Sequence, residues 1–298
     1  MCQRNWRQYN ANLVQRGSLS FFCHPSVIRE IKKLRRRQPV KGRPPYPTHL
    51  LLILMLLKIA YSLSYRSCEG MAISLFTPHG IKVPSYSSIC RGVRRLASVL
   101  PKLSKRRPHT CLIDASGFKI SGEGEWKTKV HGPSYHRSWL KVHLVVDSEA
   151  NEIVDLIVTA PSQGDVTVGK RLLERLPKSV RILFADGAYD GFDFRQKTHD
   201  LGIKAVAPPP SNAQINDLEY LEERNDALRI IYGLGGDCVA RCLWGKLVGY
   251  CHRVKAESAF SRLKRLFSES IFSRNGIAQI VEIWLKALLS NQSLVRSE

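Results

Sequence analysis

The first 110 residues contain almost no acid: Glu30 and Glu69 are the only carboxylates there, against 21 Lys and Arg, a net +19. The chain as a whole carries +21, so residues 111–298, with 25 Lys and Arg against 23 acids, are close to neutral at +2. That split excludes an evenly solvated surface and points to an N-terminal region that binds a polyanion, joined to a carboxylate-rich domain. Paired cysteine spacing is also missing. The eight cysteines include no Cys-x-x-Cys, and Cys238, Cys242, Cys251 and His252 form only a loose zinc-like cluster, so reduced thiols are expected. Long apolar runs are lacking too. Leu50 to Leu57 ends at Lys58 after eight residues, far short of the roughly 20 that span a bilayer. Met1-Cys-Gln-Arg-Asn-Trp-Arg has no apolar core, so no secretory signal is expected, and the protein is read as cytoplasmic without a membrane partner.

At 298 residues with 44% hydrophobic side chains, the chain is long enough for one sizeable domain and a smaller one. The basic part reads as helical. Pro25 opens a short helix that runs into Lys32-Lys-Leu-Arg-Arg-Arg37, and Lys41-Gly-Arg-Pro-Pro-Tyr-Pro is a loop. Thr48 and Ser64 are placed to cap helices over about His49 to Tyr61 and Tyr65 to Leu75. A third helix, capped by Ser85 or Ser87, carries Arg91, Arg94 and Arg95 opposite Ile89, Val93 and Leu96. Three helices with the last one basic predict a helix-turn-helix type of unit, with Arg91, Arg94 and Arg95 on DNA; a plain three-helix bundle is the other reading. The basic stretch from Pro101 to Thr110 marks the boundary between domains at 1–107 and 108–298.

Beyond it, Cys111-Leu-Ile-Asp114 is a strand with an acid inside an apolar run, which asks for a metal or a strong hydrogen-bond partner. Trp139 to Val146 and Glu152 to Thr159 predict a hairpin, and Asp165 a capped helix. Val180 to Ala185 delivers Asp186 at the C-terminal end of a strand, where open α/β sheets place ligands; Asp190 reads as the cap of the helix toward His199. Residues 208–249, rich in Pro, Gly and polar groups, read as an insertion or a partly mobile segment. Ile277 to Leu289 predicts a final amphipathic helix.

The segment Tyr250-Cys-His-Arg253-Val-Lys-Ala-Glu257 to Lys264, taken as one helix at about 100° per residue, groups Tyr250, Arg253, Glu257 and Lys264 within roughly 60°. A carboxylate between two cations is either a metal ligand beside phosphate grips or a solvated ion pair at i,i+4 on an amphipathic helix.

Tyr-x-x-Arg-x-x-x-Glu-x-x-x-x-x-x-Lys resembles the signature around the third catalytic acid of bacterial DDE transposases of the insertion-sequence 4 and 5 superfamily. Trp6-Arg-Gln-Tyr-Asn with Arg16-Gly-Ser-Leu, Lys41-Gly-Arg-Pro, Leu63-Ser-Tyr-Arg, Gly122-Glu-Gly-Glu-Trp-Lys127, Trp139-Leu-Lys-Val-His143 and Ala185-Asp-Gly-Ala-Tyr-Asp190 are similar to the insertion-sequence 5 group, in the same order. The resemblance implies a ribonuclease H-like mixed five-stranded sheet with flanking helices. It also implies that Asp114, Asp186 and Glu257, 72 and 71 positions apart, are catalytic carboxylates that hold two Mg²⁺ ions, with Mn²⁺ able to substitute. Tyr250, Arg253 and Lys264 would then contact DNA. The implied activity is cleavage at terminal inverted repeats and strand transfer into target DNA, by a homodimer on double-stranded DNA associated with a bacterial nucleoid. An inactive copy acting as a repressor and a nuclease that does not join strands are the other classes considered.

Overall fold

The computed structural model describes residues 22–36, 45–122 and 139–294, with isolated positions before them. The stretches at Trp6, Arg16-Gly17, Arg37 and Lys41-Gly-Arg-Pro44, and most of Gly122 to Lys127, lie outside the described residues. The chain divides into two compact units, residues 1–101 with 273–298, and residues 102–272.

The helical unit contains α1 (Pro25–Arg36), α2 (Thr48–Ala60), α3 (Tyr65–Phe76) and α4 (Tyr86–Leu96). The apolar run makes α2 its centre, with Leu50, Leu51, Leu54, Met55, Leu56 and Leu57 buried, each Leu contributing roughly 1.5–3 kcal/mol. Ser64 caps α3 as expected, accepting from the Ser67 N–H at 3.0 Å. Thr48 does not cap α2: Pro47 stands at that position and the helix start has no side-chain bond. In α4, Ile89, Gly92, Val93 and Leu96 face inward, leaving Arg91, Arg94 and Arg95 to the outer side. Gly92 lets α4 pack closely on α2: a Cβ there would come within 2.8 Å of Leu51 Cδ1, so that side chain would have to shift.

The last helix, α10 (Gly276–Gln292), is amphipathic as read, but it packs on α2 and α4 within this unit. The expected division groups this helix with residues 108–298. Its interior holds a Glu282–Lys286 ion pair at 3.2 Å with both side chains buried, and Glu282 also accepts from the Ser273 N–H at 2.8 Å. Burial lowers the pKa of Lys286, the Glu282 carboxylate opposing. The Trp284 indole donates to Pro101 O at 2.9 Å.

In the second unit a sheet forms from β1 (Thr110–Ile120), β2 (Trp139–Asp147), β3 (Ile153–Thr159), β4 (Ile182–Phe184) and β5 (Lys204–Val206), in the order β3-β2-β1-β4-β5. β2 is antiparallel to both neighbours, while β1, β4 and β5 run parallel. This is the expected ribonuclease H-like arrangement, with β1 central. A short sixth strand, β6 (Ser270–Ile271), adds to the far end of β1. Helices α5 (Asp165–Leu173) and α6 (Phe192–Asp200) lie in the connections between strands. Val168, Leu172, Leu173 and Phe194 join Ile113, Val145 and Leu183 in the core.

Residues 208–249 form two helices, α7 (Glu222–Gly233) and α8 (Cys238–Leu247), and no strand is found among them. Leu221, Leu228, Ile231, Ala240 and Trp244 are buried, so the segment has apolar anchorage that its composition hid. Helix α9 (Val254–Phe267) then buries Ala256, Ala259, Phe260 and Leu263.

Candidate active site

Asp114 sits in the middle of β1, not at a strand end or turn, and opposes Leu144 across the β1–β2 ladder. Its carboxylate accepts from the N–H of Ala115 at 2.8 Å. Burial pushes its pKa up; the Ala115 N–H and Arg253 pull down, and the charges of Asp186 and Glu257 push up again. The parallel register pairs Leu112 with Phe184, the last residue of β4, and Asp114 and Asp186 follow two residues further along each segment. Just past the end of β4, Asp186 caps the 3₁₀ turn Gly187–Tyr189 by accepting from the Gly187 N–H at 2.6 Å. Glu257 lies in the first turn of α9. The three acids from three elements therefore share one electrostatic neighbourhood.

Arg253 ties two of them together. It donates through Nη1 to Glu257 Oε1 and through Nη2 to Asp186 Oδ2, both at 3.3 Å. Burial alone would lower its pKa, yet Tyr250, Asp186, Asp114 and Glu257 together raise it. The Tyr250 hydroxyl donates to Ala185 O at 3.2 Å, and its ring lies 6.0 Å from that of Trp244. Burial pushes Tyr250 up to about 12, so it remains a neutral donor. Lys264 reaches β1 instead of the acids: its ammonium donates to Ser116 Oγ at 2.9 Å and lies 5.3 Å from the centre of the Phe118 ring.

The signature is not one continuous α-helix. Tyr250 to Arg253 form a 3₁₀ turn, entered through Gly249 at φ 73°, and the α-helix begins at Val254. The tighter turn changes the angular phase of Tyr250 and Arg253 relative to Glu257. Arg253 reaches Asp186 from that turn. On the other side of α9, Lys255 donates to Ser148 O and Arg262 to Asn151 O, the latter at 2.8 Å, which pins the helix to the β2–β3 turn. Desolvation lowers Arg262 to about 10.

Two acids read as helix caps serve otherwise. Asp190 is buried in a double ion pair, 2.6 Å from Arg195 Nη2 and 2.9 Å from Arg224 Nε, and Gly191 stands at the cap of α6. Arg195 donates on to Ala205 O and Ala207 O, and Arg224 to Gln214 O, so this carboxylate joins α6, the β5 end and α7. Asp165 follows the cap position, held by Gly164, and pairs with Lys141 at 2.7 Å. The Trp139-Leu-Lys-Val-His143 stretch thus puts Lys141 and His143 against the start of α5. There His143 Nε2 lies 3.1 Å from Thr159 Oγ1, and burial lowers its pKa to about 4.

The donor set suits a hard divalent cation, being all carboxylate oxygen. Among the described residues, however, no three His, Cys, Asp or Glu side chains are gathered tightly enough to hold an ion as they stand. Arg253 lies between Asp186 and Glu257 and donates to both.

No single helix among the described residues is long and apolar enough to cross a membrane. Of solved structures, the catalytic core domain of BIV integrase overlaps 46% of this chain and 80% of its own at 13% identity, with a TM-score of 0.23. A piggyBac transposase synaptic complex with hairpin DNA overlaps 93% of this chain and 80% of its own at 9% identity, with a TM-score of 0.29. The Mos1 transposase paired-end complex overlaps 80% and 83% at 10% identity, with a TM-score of 0.26. Two family profiles, each described as "Transposase DDE domain", match residues 105–292 and residues 14–123. With the first match spanning more than half of the sequence, the chain belongs to the DDE transposase family.

Proposed function

We propose that the protein binds the terminal inverted repeats of a bacterial insertion sequence of the 4/5 superfamily, cleaves the element ends and joins them to target DNA. Asp114, Asp186 and Glu257 would hold two Mg²⁺ ions, or Mn²⁺ in their place, and those ions supply the charge that activates an attacking oxygen and stabilises a departing one. Arg253 and Lys264 grip phosphate oxygens beside the acids, and Tyr250 holds the end of β4 that carries Asp186. Arg91, Arg94 and Arg95 bind the double-stranded ends through the basic helix, as a homodimer that pairs two ends in the nucleoid. The observation that supports this reading most is the Arg253 bridge between Asp186 and Glu257, which joins two acids distant in sequence beside Asp114.

The test is a duplex carrying the element's ends, incubated with the full chain and Mg²⁺. Cleavage followed by joining is expected. Binding without cleavage in either Mg²⁺ or Mn²⁺ would overturn the reading in favour of a repressor, and cleavage without joining would reduce it to a nuclease.

A further inference from the structure

Helix α8 buries Ala240 and Trp244 and leaves Cys238, Val239, Cys242, Leu243, Lys246 and Leu247 exposed. At about 100° per residue these six lie within half a turn of one another, so they make one outer face. Val239 is 59% exposed, Leu243 41% and Leu247 70%. The three recur every four residues, as a row along the helix. Lys246 is the single charge on that face. The neighbouring helix shows what a solvated face looks like: α7, packed against α8, turns out Glu222, Asp226 and Arg229, which form exposed ion pairs at 2.8 and 2.9 Å. Exposed apolar side chains scattered singly are ordinary, but an aligned row of them with charges left out marks an interaction surface.

We propose that this face of α8 docks against α8 of a second copy of the chain, antiparallel, about a two-fold axis near Leu243. The inference rests on the homodimer reading and not on the assignment of the acid site. Antiparallel, Val239 meets Leu247 while Leu243 meets its own counterpart, which gives the self-complementary surface that a two-fold interface requires. Charge selects the same occupant and direction. Asp237 stands at the N-cap of α8 and Lys246 in its last turn, so antiparallel pairing brings each lysine within one helical turn of the other copy's aspartate. Parallel pairing would set aspartate beside aspartate and lysine beside lysine. Arg241, the other cation of the helix, is engaged elsewhere, donating to Pro209 O and Pro210 O. A DNA backbone would therefore meet one cation here, whereas a second α8 meets both an apolar row and an opposite charge. The contact of two 10-residue helices is small beside a standard interface of about 800 Å² per partner, so the association is weak and concentration-dependent.

The experiment is sedimentation velocity of the full chain over a range of concentrations, with and without a duplex carrying the element's ends. Wild type should show a reversible monomer–dimer equilibrium. Leu243→Asp and Leu247→Lys should each weaken it at least about 10-fold with the melting temperature unchanged, and Lys246→Glu should weaken it as well. A short-arm bismaleimide should join two copies through Cys242, which is exposed beside the axis, and the link should be lost in Cys242→Ser. A dimer unchanged in both leucine variants overturns the inference and leaves the homodimer reading standing. So does a link that passes through Cys238 instead, as parallel helices would give, or a leucine variant that stays dimeric and loses only affinity for DNA. A wild-type chain that stays monomeric throughout, duplex included, defeats the homodimer reading itself and the inference with it.

Discussion

The guanidinium of Arg195 lies 2.6 Å from the carboxylate of Asp190, and each side chain is 2% exposed. Arg224 meets the other oxygen of the same carboxylate at 2.9 Å. Removing the charge at the centre would leave two buried guanidinium groups with nothing to neutralise them. Asp190→Asn is therefore expected to destabilise the protein by about 3–5 kcal/mol, the usual cost of breaking a buried pair on one side. Urea denaturation measures it, and a loss below about 1 kcal/mol would return Asp190 to the role of a cap, where Asn serves equally well.

The three acids near Arg253 should behave differently. Asp114→Asn, Asp186→Asn and Glu257→Gln each keep shape and remove one anionic ligand, so cleavage is expected to vanish while end binding and folding stay near wild type. Arg253→Ala and Lys264→Ala are expected to fall between, since each removes a cation and no carboxylate. Single-turnover cleavage in Mg²⁺ and Mn²⁺ ranks the set. Normal cleavage by any one of the three acid variants removes that residue from the site.

Arg91, Arg94 and Arg95 project from α4 without contributing to its buried face. Replacing one of them with Ala should leave the melting temperature unchanged and lower affinity for DNA. The log–log salt slope should fall by about 1 for each phosphate that is no longer neutralised. Titrations at several salt concentrations would show an unaltered slope if α4 is not the binding element.

The buried face of α4 leads to a further expectation, because α2 and α4 are covered by α10 from the other end of the chain. A fragment of residues 1–107 lacks that cover and exposes a large apolar surface. It should unfold without a cooperative transition, whereas the full chain should melt sharply. A sharp melting transition in the short fragment would contradict the packing.

His143, fully buried on β2 with its pKa lowered to about 4, sets a pH dependence. The folded protein holds this imidazole neutral while the unfolded chain titrates it near 6.5, so the unfolded state binds more protons between those values. Stability contributed by His143 is complete above about pH 6.5 and is lost as pH falls toward 4, by up to about 1.4 kcal/mol per pH unit. A His143→Gln variant should have a flatter stability profile across that window. Identical profiles would mean that the imidazole is accessible to protons in the folded state.

The local order of helices and strands was legible because period and capping are short-range properties. Ser64 caps a helix through a bond to a residue three positions on, and the Val- and Leu-rich run in Trp139 to Val146 needs only the strand itself. Asp114 stands out as an acid in an apolar run, and the ordered motifs link it to Asp186 and Glu257 from sequence alone. The charge split between the two parts of the chain is likewise a property of composition.

What tertiary structure decided are the partners. An amphipathic pattern over α10 says that one face is buried, but not that its cover is α2 and α4 from the opposite terminus. Asp190 before a helix looks like a cap because cap propensity is local; Arg224, 34 residues later, claims its carboxylate only once β5 and α7 have folded beside it. Residues 208–249 lack periodic contrast, yet Leu228, Ile231 and Trp244 find apolar neighbours that no local pattern names. Arg253 reaches Asp186, 67 residues earlier in the chain, from a 3₁₀ turn that the spacing of the signature does not announce. Local propensity is written residue by residue, while a buried charge or hydroxyl is assigned its partner by chain segments that meet only in the folded state.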